Sequence, residues 1–318
     1  MAHGFTPTHT AERVKVEPGE LGTAAIREAR FDLAACFRMA AKLGMHEGVC
    51  NHLSAVLPGR DDLFLVNPYG YAFDEITASR LLVCDMHGNV VQGDGVPEIT
   101  AFFIHARVHL RQPRVKVAFH THMPNATALA MLDGPPLLWA GQTALKFYGR
   151  TAVDENFNGL AMNSSEGDRI AAAIGDADVA FLKNHGVMVV GATIAEAWDD
   201  LYYLERACEV QRLALSTGRP LKVIDPDIAA KTYRQMRAGE RDSARQHSAA
   251  TRSRRAQLRA VTGALIAKQH GRASVASSIE FWISTCNTTG TGASCSARSR
   301  RANPLPISAG YYPASRPR

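Results

Sequence analysis

The sequence predicts an α/β domain in which helices flank a sheet, followed by a basic tail. Three observations carry that reading. Apolar residues repeat at helical spacing in some stretches and bunch into short β-branched runs in others. Between residues 22 and 225 the two kinds mix without clear βαβ alternation, which favours a helix-flanked sheet over a doubly wound nucleotide fold. No GxGxxG or GxxxxGK[ST] pattern argues otherwise. With 318 residues, 46% of them hydrophobic, the chain can bury a sizeable core.

Taken in order, the first twenty residues are polar and carry Pro7 and Pro18, which predicts a loose arm over 1–21. From Thr23 to Leu43, Ile26, Ala29, Leu33, Phe37 and Ala40 recur at spacings of three and four, and Gly44 follows as a stop. From 49 to 96 the pattern shortens to SAVL, LFLV, RLLVCD and NVVQG, separated by turn-forming residues. Thr100 to Leu110 is helical again, VKVAFHTH (115–122) is a buried strand, and a short helix begins near Ala126. Asn163-x-x-Glu166 and Thr193-x-x-Glu196 are capping boxes ahead of two further helices, the first ending at Gly175 and the second near Gly218. Between them VAFLKNHGVMVVG (179–191) gives two apolar strands around a polar turn.

Charge is unevenly spread. Residues 241–318 hold 12 Arg and one Lys against Asp242 and Glu280, so the first 240 residues carry 23 basic and 28 acidic groups. The folded part is mildly acidic, and nucleic acid is an expected partner only nonspecifically, through the tail. Six cysteines are scattered without a CxxC pair, which suits free thiols in a reducing compartment. There is no apolar run long enough for a membrane span and no apolar core in the first twenty residues for a secretory signal. The expected location is the cytoplasm.

His120-Thr121-His122, at the end of the 115–122 strand, is the sharpest chemical feature. Residues i and i+2 on a strand share a face, so both imidazoles can reach one metal. His185, in the turn Lys183-Asn184-His185-Gly186, is the candidate third ligand of a site with an open fourth position. An H-x-H alone is a weak signal. His105 and His109, four apart on one helical face, are a rival pair. Without an acidic or cysteine partner at metal spacing, His105 is expected to pack under the sheet and His109 to face solvent or a neighbouring subunit. Asn67-Pro68-Tyr69-Gly70 is either an anion-holding turn or a simple strand connection. Glu98 sits at the start of the 100–110 helix, where it either favours the helix dipole or acts as a general base.

Four ordered segments, GMHEGVCNHLS (44–54), NPYG (67–70), VAFHTHMPNATALA (117–130) and LKNHGVMVVGATIAEAWDDLYYLE (182–205), resemble the class II aldolase/adducin family over residues 22–225. The resemblance implies a three-layer α/β/α domain around a central, largely antiparallel sheet, and a homotetramer with sites at subunit interfaces. It implies that His120, His122 and His185 bind zinc or another divalent ion, which polarises substrate oxygens and stabilises an enediolate. It also points to Asn51, His52, Asn67 and Gly70 as substrate-lining residues. The departures are informative. Family aldolases carry Gly-Asn where this chain has Asn51-His52, and Thr-Pro-Thr/Ser-Gly where it has NPYG, so the phosphate cradle is altered. Their catalytic glutamate falls at Ala101, leaving Glu98 one turn early as the candidate base. No tyrosine matches the catalytic one: Phe157 lies near that place and Tyr148 is a nearby alternative.

The expected function is a metal-dependent, aldolase-like lyase acting on a small hydroxy-carbonyl or sugar-derived substrate. An epimerase or dehydratase could use the same ligands, and an adducin-like assembly module without catalysis is the rival from another class. The expected domain spans 22–240. Beyond it, residues 241–318 are rich in Arg, Ser, Ala, Gly and Thr, with Glu280 the only acidic residue after 247. That composition predicts a disordered basic tail, either functional or the product of a frame change near residue 248.

Overall fold

The computed structural model describes residues 14–239. Most of the N-terminal arm and the whole tail, with Cys286 and Cys295, lie outside the described residues. The helix α1 (Ala24–Lys42) begins where the Thr23 hydroxyl accepts the Ile26 N–H, and it buries Ile26, Leu33, Phe37 and Ala40. The strands β1 (His52–Leu57), β2 (Arg60–Val66), β3 (Leu82–Asp85) and β4 (Val90–Gln92) follow as an antiparallel meander. Then come α2 (Ile99–Arg111), β5 (Val117–Thr121), α3 (Pro124–Ala130), β6 (Thr151–Asp154) and α4 (Ser164–Ile174). The hairpin β7 (Val179–Leu182) and β8 (Gly186–Gly191) leads into α5 (Ile194–Leu215). Residues 226–239 are helical.

These strands form one eight-stranded sheet in the order β4-β3-β2-β1-β5-β8-β7-β6. Every neighbouring pair is antiparallel except β6 and β7, which α4 joins as a parallel crossover. The expected mixed fold is therefore present, with one βαβ unit that the sequence did not disclose, because the four-residue β6 has no alternating pattern of its own. Both helix caps expected at Asn163 and Thr193 form, their side chains accepting the Glu166 and Glu196 N–H groups. Glu166 turns its carboxylate to Arg169.

Period-two alternation divides the core. Leu53 and Ala55 of β1, Val117 and Phe119 of β5, and Val187 and Val189 of β8 join α1, α3 and α5 in one continuous apolar cluster. On the opposite face Ala118, Met188 and Val190 pack with α2 and α4, and Phe64, Val66 and Cys84 pack with another part of α2. Between those two smaller clusters runs a polar seam containing His52, Ser54, His105, His109 and His120, all buried. Gly167 lets α4 meet α2, since a Cβ there would stand 2.3 Å from the Phe103 carbonyl oxygen. Cys36, Cys50, Cys84 and Cys208 are free, and burial pushes the Cys36 thiol up to about 12. Among the described residues no helix is long and apolar enough to cross a membrane.

Candidate metal centre

At the end of β5 the pleat turns His120 and His122 to the same side, and the β7–β8 turn brings His185 to meet them. Ring centroids lie 5.1 Å apart for His120–His122, 4.7 Å for His120–His185 and 5.0 Å for His122–His185. One nitrogen from each lies within 4.8 Å of the others. The turn is shaped for this. Asn184 adopts φ 57°, a left-handed conformation that asparagine tolerates better than most residues. Gly186 follows because a Cβ there would stand 2.7 Å from the Thr121 carbonyl oxygen and 2.8 Å from His122 Cδ2. Glycine is what lets the turn approach the ligand strand. Lys183 secures the turn by donating to the Leu132 and Gly134 carbonyls.

The outer nitrogens fix the tautomers. His120 Nδ1–H donates to the Val187 carbonyl at 3.0 Å, and His122 Nδ1–H donates to Glu47 Oε2 at 2.6 Å. His120 then presents Nε2 as a bare lone pair, and His122 Nε2 is buried without a protein partner. A carboxylate–histidine pair of this kind is what orients a metal-bound imidazole. Burial, reinforced by the neighbouring rings, holds His120 well below the ordinary histidine range and His185 down to about 4. Neutral imidazoles are the metal-ligating form. The donor set fits a divalent ion with an open position.

Other residues expected at the site gather around this centre to different degrees. His52 pairs in register with His120 across β1 and β5, its ring stacked at 5.5 Å. Asn51 Oδ1 accepts the Glu47 and His122 N–H groups at 2.7 and 3.2 Å, and Asn67 Nδ2 donates to the Asn51 carbonyl. Gly70 (φ 87°) serves the turn after β2 and is not among the residues this network joins. Glu98 caps α2: its Oε2 accepts from the Thr100 hydroxyl and from the Ala101 N–H, and lies 3.5 Å from His52 Nε2. Burial pushes its carboxyl upward, but the hydrogen bonds from His52, Thr100 and Ala101 outweigh that and leave it below the usual range. Phe157 stands 6.0 Å from the His185 ring, whereas Tyr148 packs on Trp139.

His105 lies under the sheet as expected. The expectation that His109 faces solvent or a neighbouring subunit is corrected. His109 is buried, with Nδ1 bonded to the Val115 carbonyl and Nε2 to Ser54. Glu47 and Ser54 are the residues that sequence reasoning missed. Glu47 stands within the same GMHEGVCNHLS segment as Asn51, but a carboxylate 75 positions from its histidine gives no spacing signal.

A helix-flanked, mostly antiparallel sheet with three converging histidines defines a class II aldolase-type domain. The chain belongs to that family: the model for the class II aldolase and adducin N-terminal domain matches residues 31–212. A Caulobacter vibrioides protein whose name places it in aldolase class 2 is 37% identical, covering 74% of this chain and 88% of its own. The decarboxylase NovR of Streptomyces niveus is 32% identical over 65% of this chain and 77% of its own. Among solved structures, an aldolase II superfamily protein from Pseudomonas syringae is similar at TM-score 0.65 and 33% identity, covering 68% of this chain and 86% of that one. L-Fuculose 1-phosphate aldolase from Glaciozyma antarctica is similar at 0.59 and 30%, covering 66% and 81%.

Proposed function

We propose that this chain is a metal-dependent lyase acting on a small hydroxy-carbonyl or sugar-derived substrate. The observation that carries the reading is the convergence of three imidazoles, two of them with the outer nitrogen pinned by Glu47 and by the Val187 carbonyl. His120, His122 and His185 would hold zinc or another divalent ion. Once bound, such an ion supplies Lewis acidity to substrate oxygens as a carbon–carbon bond breaks. Asn51, His52 and Asn67 orient the substrate, and Gly70 serves the turn after β2. Glu98 is the proton acceptor: Oε2 is committed to the helix cap, and Oε1 is buried without a partner. In this reading the protein is a cytoplasmic homotetramer.

Ala101 favours a second reading, because family aldolases carry their glutamate there: an adducin-like module without catalysis. An epimerase or dehydratase on the same ligands is a variant of the first reading. Turnover against a panel of hydroxy-aldehydes, hydroxy-ketones and sugar phosphates separates them. The lyase reading expects carbonyl product, lost on chelation and in His185→Ala and Glu98→Gln. Metal-loaded protein that turns over none of the panel would favour the module.

A further inference from the structure

The hydrogen bonds around His52 fix the polarity of the groups behind the metal centre. His109 Nδ1 faces the Val115 carbonyl at 3.1 Å, so it carries the proton and Nε2 is an acceptor. Ser54 lies 2.8 Å from that Nε2 and must donate to it, the Ala118 carbonyl at 3.4 Å being the weaker outlet. Ser54 Oγ therefore accepts from His105 Nδ1–H at 2.6 Å, which leaves His105 Nε2 as a bare lone pair. That atom is buried and has no protein partner.

The same logic assigns four more partnerless buried atoms. Asn51 spends Oδ1 on two N–H groups, so its free end is the Nδ2 donor. Asn67 spends Nδ2 on the Asn51 carbonyl, so its free end is the Oδ1 acceptor. Glu98 spends Oε2 on its helix, leaving Oε1. His52 directs Nε2 toward Glu98, leaving Nδ1 as an acceptor. The His52 ring joins the group, edge-on to His105 at 5.6 Å and stacked on His120. All five residues are buried.

The balance is four acceptors to one donor, and none of the five residues is a lysine or arginine. Unbonded buried acceptors are costly, and the group that satisfies them must bring O–H or N–H protons. A phosphate dianion brings only acceptors and would face the Glu98 carboxylate. We propose that Asn51, His52, Asn67, Glu98 and His105 form a hydroxyl-receiving subsite that selects an unphosphorylated polyhydroxy substrate, with Ser54 and His109 acting as positioning residues that keep His105 an acceptor. This rests on the reading of the three-histidine centre as the active site.

The test is calorimetric titration of the metal-loaded full chain with dihydroxyacetone and with dihydroxyacetone phosphate. Dihydroxyacetone should bind at least tenfold more tightly than its phosphate. Asn67→Leu and Ser54→Ala should each weaken dihydroxyacetone binding severalfold, and Glu98→Gln, which adds a donor, should narrow the preference. Tighter binding of the phosphate, or a preference indifferent to Asn67→Leu and Glu98→Gln, would overturn the proposal. Metal content measured on the same samples keeps the two readings apart. Full metal with no dihydroxyacetone binding overturns the subsite alone, while protein that takes up no metal overturns the site itself.

Discussion

The two faces of the sheet are built from alternate residues of the same strands, yet they are organised differently. On the face covered by α1, α3 and α5, Leu53, Phe119 and Val189 join one uninterrupted apolar cluster. On the face covered by α2 and α4, the next residues along the same strands, among them His52, Ser54 and His120, form a polar seam that splits the packing in two. One face supplies stability through burial. The other trades part of that burial for a line of neutral, hydrogen-bonded imidazoles leading to the candidate metal centre. A stretch as short as Leu53-Ser54-Ala55 takes part in both, because a strand changes face at every residue.

Substitutions on the two faces should therefore separate stability from metal binding. The largest stability loss is expected on the apolar face. Phe37 is fully buried and meets Phe73 edge-on at 4.7 Å. Phe37→Ala should cost about 3–5 kcal/mol in urea unfolding while the folded fraction keeps its metal content. Coupled loss of metal would show that the two faces are not independent.

On the seam face the signature is pH. Burial holds His109 down to about 4, so between pH 6.5 and 4 the unfolded chain binds more protons than the folded one. Stability is then full above pH 6.5 and falls as pH drops through that window, by roughly 3 kcal/mol from His109 alone. His109→Gln should be less stable at neutral pH but show a shallower acid slope. An unchanged slope would remove His109 from the seam's titration.

Glu47 sharpens the comparison at the end of the seam. It is 67% exposed on the side chain, so Glu47→Ala should leave stability nearly unchanged. Loss of its bond to His122 should weaken metal affinity about 10–100-fold in a chelator competition, with Glu47→Gln between the two. The smallest effect is expected at Asp168, whose carboxyl is held below the usual range by hydrogen bonds from Arg111 and Arg107, bridging α4 to α2. That contribution is present above about pH 4 and is lost as pH falls further. Asp168→Asn should lower the urea midpoint slightly at pH 7 and flatten the acid limb below pH 4.

The convergence of the candidate ligands was legible in the sequence because strand geometry makes it local: His120 and His122 share a face by spacing alone, and NHG marks the turn that carries His185. The helices α1, α4 and α5 were legible for the same reason, through periodicity and, for α4 and α5, the caps at Asn163 and Thr193. The seam was not. Ser54 meets His105 and His109 across 51 and 55 positions, and Glu47 meets His122 across 75. Such partners are set by how α2 and the loop before β1 lie on the sheet, which no local pattern encodes. Without them His109 resembled a surface histidine. The crowding at Gly186, likewise, depends on the approach of β5 and is invisible in the turn's own residues.

The central claim is that the three imidazoles form one metal site. Its most direct test is metal per chain, measured by inductively coupled plasma mass spectrometry on purified protein after equilibration with a divalent ion and desalting. About one ion per chain is expected for the unmodified sequence, given the single three-histidine cluster among the described residues. His120→Ala and His185→Ala should each carry far less, while Phe37→Ala retains it. Full retention of the ion in both histidine variants would contradict the claim.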